Sequence, residues 1–400
     1  MATETQAPAP LSGVRVLDLT NVLAGPYCCY QLALMGAEVI KVERPGSGDL
    51  ARQLGADPAR NAANMGISFL AQNAGKFSMT LDLKAPAGKA LLKRLVATAD
   101  VLVENFRPGV MERLGLGYEV LREANPRLIY CAISGFGQDG PRKDDPAYDQ
   151  IVQGVSGAMS ITGAPETAPY RVGYPVADTC GGMTAAFAVA AALNARPRGA
   201  FLDISMTEAL VSSMGWVVSN HLIGGVPPAP HGNENTTSAP SGTFATADNP
   251  INIAANRDTQ WESLAHLLSL PGLIEDPAYR TREDRKANRE DLRAALEAVL
   301  TTRPAAHWVA ALNEKGVPTG PVLGVADALE DPQLRDRGLI GKVEVAGEEI
   351  ALPTSPVRVD GARPQPAAPP PALGADTERV LQDLGLSNAE ISALREEGVL

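Results

Sequence analysis

From Val14 to Ser134 short apolar runs alternate with segments whose apolar residues recur every three or four positions. Val14–Leu19 reads as a strand. Pro26 to about Met35 reads as a helix opened by proline and closed by Gly36, and Glu38–Glu43 as the next strand. Together they make a βαβ unit of about thirty residues. The alternation continues with a strand at Phe77–Leu83 and an amphipathic helix at Pro86–Thr98, whose Leu91, Leu92, Leu95 and Val96 face inward. A short buried strand at Val101–Val103 and another at Arg127–Ser134 follow. Strands spaced by helices predict a parallel, doubly wound, Rossmann-like sheet, hence the α/β class.

Pro169–Leu193 runs from an extended segment into an apolar helix, and Gly199–Ser205 reads as a strand followed by a helix from Met206 to about Ile223. Val226–Gly232 is a proline-rich linker. The texture changes from Thr243 to about Val317, with a strand at Pro250–Ala254 and helices at Gln260–Leu268 and Glu290–Leu300, and Gly320–Val322 marks the way out. A partly helical Asp327–Asp336, a hairpin at Lys342–Leu352, a strap at Arg363–Pro371 and two short helices in Ala375–Leu400 complete the chain. The expected organisation is a large domain over 1–225, a smaller α+β domain over 226–322, and a return to the large domain over 323–400.

Composition narrows the function classes. The chain has 400 residues, 45% of them hydrophobic, which is enough for a large core, and a net charge of −11 with no basic run to meet nucleic acid. Its first ten residues are polar and proline-rich, unlike a secretory signal, and the Ala-rich run Met183–Leu193 is too short for a membrane span. Four cysteines and four histidines are scattered without metal-ligand spacing, so no protein-bound metal and a reducing, cytoplasmic setting are expected.

Candidate chemistry centres on Asp178, expected where an extended segment meets the apolar helix. By local pattern it is a helix N-cap; facing a crevice it is also a candidate nucleophile. Gly181 and Gly182 in the early helix each cost about 1 kcal/mol against Ala and imply close approach of something large. Gly135–Gly140 matches a dinucleotide fingerprint, but Pro141–Pro146 after it is a charged loop instead of a helix. Glu43 ends a strand as a ribose-binding acid would, yet the first strand-to-helix turn lacks the glycines that give such an acid meaning. Asn21, Arg44, Asn73, Lys76, Asn105, Arg107 and Arg113 fall at strand ends or in the turns after them, and together suit a ligand with several phosphates.

In order along the chain stand L-x-G-V-R-V-L-D-L-T at Leu11–Thr20, L-A-G-P at Leu23–Pro26, G-A-E-V-I-K-V-E-R-P at Gly36–Pro45 and N-A-G-K at Asn73–Lys76. V-E-N-F-R-P-G at Val103–Gly109, L-G-L-G-Y at Leu114–Tyr118, G-F-G-Q-D-G-P at Gly135–Pro141, A-Y-D at Ala147–Asp149 and P-V-A-D-T-C-G-G at Pro175–Gly182 follow. With these motifs the chain resembles the class III CoA-transferases from Leu11 to its C-terminus. The resemblance implies that Asp178 is the nucleophile, with a coenzyme A thioester and a small carboxylic acid as substrates and no permanently bound cofactor. It also implies an interlocked homodimer, with the large domain assembled from both chain ends.

By the same resemblance, Asn21, Val22 and Ala24 line the CoA and active-site turn, and Arg44 meets nucleotide phosphates. Asn73, Lys76, Asn105, Phe106, Arg113 and Gly137 join the CoA groove, and Tyr148 and Asp149 lie beside the acyl group. An Asp with a reference pKa near 3.9 needs no general base, and amides near Gly181 and Gly182 are candidates to stabilise the oxyanion. His231–Phe244 lacks the glycine run of formyl-CoA transferase, which speaks against formate or oxalate and favours the branch that handles dicarboxylates such as succinate, glutarate, itaconate or mesaconate; Arg52, Arg171 and Arg257 are candidates for the distal carboxylate. Two rival readings stay open. One is α-methylacyl-CoA racemase chemistry, against which Tyr148 stands where racemases carry His. The other is a non-catalytic CoA-binding relative.

Overall fold

Six parallel strands form the central sheet of the computed structural model, which describes residues 9–400. They are β1 (Arg15–Asp18), β2 (Glu38–Glu43), β3 (Phe77–Thr80), β4 (Val101–Glu104), β5 (Ile129–Ser134) and β6 (Ala200–Ser205), in the order β3-β2-β1-β4-β5-β6. Successive side chains of a strand point to opposite faces. Leu17, Ile40, Leu102 and Tyr130 therefore enter one core with the helix Pro86–Val96 and the C-terminal helices. Val16, Val39, Val101, Ile129 and Cys131 enter the other, under the helices Ala24–Leu34 and Val176–Asn194.

The chain divides into two units. One comprises residues up to 158 together with 171–226 and 333–400; the other comprises 159–170 and 227–332. Against the boundaries read at 225/226 and 322/323, the second unit extends to 332 and takes in 159–170. Its sheet is antiparallel, β7 (Ser241–Phe244) and β9 (Thr319–Pro321) flanking β8 (Ile251–Ala254). Helices Asp258–Leu267, Arg289–Leu300 and Ala305–Glu314 share a core with it through Trp261, Leu264, Leu296 and Leu312. The stretch read as an exit, Gly320–Val322, is thus largely strand.

Two helices depart from the sequence reading. Met206–Ile223 is broken at Met214 into Met206–Ser213 and Gly215–Gly224, the second of which buries none of its residues. The apolar helix begins at Val176, well before Met183, and its 19 residues make it long and apolar enough to cross a membrane by length and composition. It packs instead on the sheet, burying Ala177, Gly181, Gly182, Ala185 and Val189.

The C-terminal segment closes the β3 edge. Ser78 N–H donates to the Asp376 carboxylate at 2.9 Å, Asp376 N–H returns to Ser78 O at 2.8 Å, and Asp82 N–H donates to Val399 O at 2.8 Å.

Candidate active site

The strand order reverses between β1 and β4, and in doubly wound sheets ligands bind in the crevice at the carboxyl ends on either side of that point. There the turns after β1, β4 and β5 line a cavity of about 230 Å³ with Asn21, Val22, Leu23, Ala24, Asn105, Phe106, Arg107, Ser134 and Gly135. Tyr148, Asp178 and Met206 complete its wall, and Asp178 is the only carboxylate in the lining. Larger hollows lie elsewhere. One of about 440 Å³ in the second unit has Arg289 and Arg293 already paired with Glu234, and one of about 360 Å³ has an aromatic wall of Tyr118 and Phe201.

Asp178 stands in the first turn of its helix, but the N-cap position belongs to Pro175. The capping carboxylate comes from Asp149, whose Oδ1 accepts from Ala177 N–H at 2.8 Å and from Asp178 N–H at 3.4 Å. Gln153, one turn on, donates to Asp149 Oδ2 at 2.6 Å and accepts from Val172 N–H at 2.8 Å. This brace fixes the approach to the helix and leaves the Asp178 carboxyl without a cap to make. Burial, and then the Asp149 charge, push Asp178 up to about 7, so the carboxyl does not stay at its reference value.

Gly181 and Gly182 are buried one turn further on, where their N–H groups belong to the i→i−4 ladder of the helix. A Cβ on Gly182 would lie 2.4 Å from Ala24 O, and one on Gly181 2.8 Å from Met206 Cγ. The large neighbours that they admit are two helices of this chain. This corrects the expectation that their amides serve an oxyanion.

The turn after β1 is held by side chains at nearly every polar backbone atom. Thr20 N–H donates to Asp18 Oδ1 at 2.9 Å, and Lys41 Nζ donates to Thr20 O at 2.8 Å. Asn21 and Asn105 exchange a reciprocal pair, each bond 2.8 Å. Val22 N–H donates to Asp49 Oδ1 at 2.9 Å. Val22 adopts φ +67°, a left-handed conformation that costs a β-branched residue about 1–3 kcal/mol and persists only where the surroundings impose it.

Several expected ligand contacts are structural instead. Lys76 is fully buried, with Nζ 2.9 Å from Asp18 Oδ2 and 3.0 Å from Pro26 O. Burial alone would raise Asp18; the adjacent Lys41 and Lys76 outweigh it and hold the carboxyl down at about 2. Asn73 is buried and donates to Phe69 O within its own helix. Arg52 is buried in a bidentate pair with Glu43, both contacts 2.7 Å, which removes it as a reader of a distal carboxylate and removes Glu43 as a ribose acid. Gly137 is buried in the turn after β5 at φ +90°, outside the cavity lining.

Asn21, Val22, Ala24, Asn105, Phe106, Tyr148 and Asp178 do come together. Asp149 touches the site through the backbone of Asp178. Arg44 and Arg113 are exposed outside the lining, as is Arg171, while Arg257 precedes a helix of the second unit. Leu23, Ser134, Met206, Asp49 and Gln153 escaped the sequence reading. A Gln four residues after Asp149 on one helix face was the available sign for the brace. Among the described residues, no group of three or more His, Cys, Asp or Glu side chains is placed to hold a metal ion.

A family model described as CoA-transferase family III matches residues 11–377. The chain is 40% identical to an acetyl-CoA:oxalate CoA-transferase of Acetobacter aceti, over 90% of this chain and 91% of that one. It is 37% identical to a succinyl-CoA:glutarate CoA-transferase of Mus musculus, over 94% and 86%. Identity is also 37% to a succinyl-CoA:mesaconate CoA-transferase of Haloarcula hispanica, over 94% and 96%. A crystal structure of a CAIB/BAIF family protein from Brucella suis superposes with a TM-score of 0.82 at 34% identity, covering 95% of this chain and all of that one.

Proposed function

Given that the chain belongs to CoA-transferase family III, we propose that it moves CoA from an acyl-CoA such as succinyl-CoA to a small dicarboxylate through covalent intermediates on Asp178. The observation that carries this reading is the single carboxylate of the switch-point cavity, half-buried and raised toward neutrality. Desolvation that raises its pKa also raises its basicity, and with it the nucleophilicity of the ionised form.

In the first step an Asp178 oxygen attacks the donor thioester carbonyl. The C–S bond breaks, giving an aspartyl–acyl anhydride and CoA thiolate. The thiolate attacks the Asp178 carbonyl, releasing the donor carboxylate and leaving an aspartyl-CoA thioester. The acceptor carboxylate then displaces the thiolate to form a second anhydride, and the thiolate attacks the acceptor's carbonyl, restoring the Asp178 carboxylate. No net proton is taken up. Arg107 in the cavity, with Arg44 and Arg113 nearby in sequence to the strand ends, supplies unpaired cations for the CoA phosphates. Tyr148, 70% exposed at the cavity wall, is available to the acyl group.

Similarity to an acetyl-CoA:oxalate CoA-transferase is reason to include oxalate in the acceptor panel despite the missing glycine run at His231–Phe244. The reading also includes an interlocked homodimer. In support, Gly215–Gly224 buries none of its own residues and presents Trp216, Leu222 and Ile223 at 75% exposure or more, a patch that a lone soluble chain rarely leaves open. The test is a panel of acyl-CoA donors against oxalate, succinate, glutarate and mesaconate, with mass spectrometry for a hydroxylamine-sensitive adduct on Asp178. Transfer activity in Asp178→Ala, or labelling at another residue, would overturn the mechanism.

A further inference from the structure

We propose that Asp49, outside the cavity lining, is a positioning residue for the reaction: its carboxylate holds the Val22 peptide in the left-handed conformation that shapes the nucleophile's cavity. The inference rests on reading that cavity as the reaction site. Asp49 is fully buried, and its Oδ1 accepts both from Val22 N–H and from Ala51 N–H at 2.9 Å. Its Oδ2 is an ion-pair partner of Lys41 Nζ at 2.9 Å, and Lys41 donates to Thr20 O at the other end of the same turn. Glu43 in turn accepts from Asp49 N–H at 3.0 Å, so the loop carrying Asp49 is fixed to the end of β2.

Valine at φ +67° does not hold that shape by its own preference. Among the side chains gripping Thr20–Val22, Asp49 alone takes the Val22 N–H. Its loss frees that peptide to rotate, displacing the wall that faces Asp178. Glycine adopts the same φ freely. The requirement for Asp49 therefore weakens once Val22 is replaced by glycine, which a general loss of stability would not produce.

Asp49→Asn, Asp49→Ala, Val22→Gly and the double variant Val22→Gly/Asp49→Ala are compared in steady-state transfer, with folding followed by circular dichroism. Asp49→Asn retains an Oδ1 acceptor and keeps kcat within a few-fold of the parent. Asp49→Ala lowers kcat by roughly ten- to a hundredfold, with a smaller change in KM for the acyl-CoA, the scale on which small misplacements act. Adding Asp49→Ala to Val22→Gly lowers kcat much less than adding it to the parent. If Asp49→Ala does not fold, recovery of folding in the double variant supports the proposal and failure to recover overturns it. Equal losses in both backgrounds, or unchanged kcat in a folded Asp49→Ala, overturn it as well. Asp178→Ala is run in parallel: activity there sinks the assignment of the cavity, whereas an inactive Asp178→Ala beside a fully active Asp49→Ala sinks only the role of Asp49.

Discussion

The carboxylate of Asp149 accepts from the backbone of Ala177 at 2.8 Å and of Asp178 at 3.4 Å, so Asp149 caps the helix and the Asp178 carboxyl is left free of that task. The two charges also share a site, and Asp149 contributes to the raised pKa of Asp178. In the proposed mechanism a protonated Asp178 cannot attack. We expect kcat/KM for the acyl-CoA to fall about tenfold per pH unit below about 7. Asp149→Asn retains an oxygen for the Ala177 amide and removes the charge, which moves this limb to lower pH. A limb that stays in place in a folded Asp149→Asn would show that the two carboxylates do not communicate.

Glu104 ends β4 under the Asn105–Arg107 turn, its Oε2 accepting from Phe106 N–H at 2.8 Å and its Oε1 from the Tyr130 hydroxyl at 3.3 Å. Burial raises its carboxyl to about 8. The native state therefore keeps a proton that the unfolded chain loses near pH 4.5, and stability falls as pH climbs from about 4.5 to about 8. Glu104→Gln has no such proton to lose. Its melting temperature should gain on the parent's steadily from pH 5 to pH 8 and level off above.

Gly182→Ala and Gly181→Ala separate close packing from helix preference. Alanine gains roughly 1 kcal/mol in helix propensity at either position. At Gly182 the new carbon meets the backbone oxygen of Ala24, which cannot move cheaply, so a net loss of about 1–3 kcal/mol is expected. At Gly181 it meets Met206 Cγ, a side-chain atom that yields more readily than a backbone oxygen yet lies close to its own Cα, so denaturant melts should show a smaller loss than at Gly182.

Lys76 and Arg107 should respond in opposite ways. Lys76→Met leaves Asp18 short of a buried partner and costs about 3–5 kcal/mol in chemical denaturation. Arg107→Ala, on an exposed turn, should stay within about 0.5 kcal/mol of the parent yet raise KM for the acyl-CoA several-fold. A destabilised Arg107→Ala with unchanged KM would reverse this assignment.

Trp216→Glu places a charge on the exposed apolar helix. Light scattering should show a smaller species than the parent if that helix is a subunit contact, and an unchanged mass would remove it from any interface.

The central sheet was legible because each of its strands is a short apolar run with glycine, proline or polar residues at its ends, and Glu38–Glu43 coincides with β2. The broken helix at Met214 was hidden, since apolar residues continue through the break and periodicity alone cannot reveal it. At the site, Asp178, Asn21, Asn105 and Tyr148 emerged from motif order and strand-end position. Lys76 misled for a physical reason: a cation at a strand end pairs equally well with a phosphate or with a buried carboxylate such as Asp18, while the Asn73 amide turns back to Phe69 O in its own helix. Only the fold decides which. Lys41 in the middle of an apolar strand was the visible sign of that buried charge.

The joining of Ser78 to Asp376 sets a clock on the molecule's birth. Chains emerge at roughly 5–20 residues per second, so an interval of 298 residues leaves the β3 edge open for some 15–60 seconds after it has been made. An unpaired edge is a template for the wrong strand. Slow translation, and removal of the segment from Gly374 onward most of all, should favour aggregates nucleated at Phe77–Thr80 even with every residue lining the Asp178 cavity unchanged.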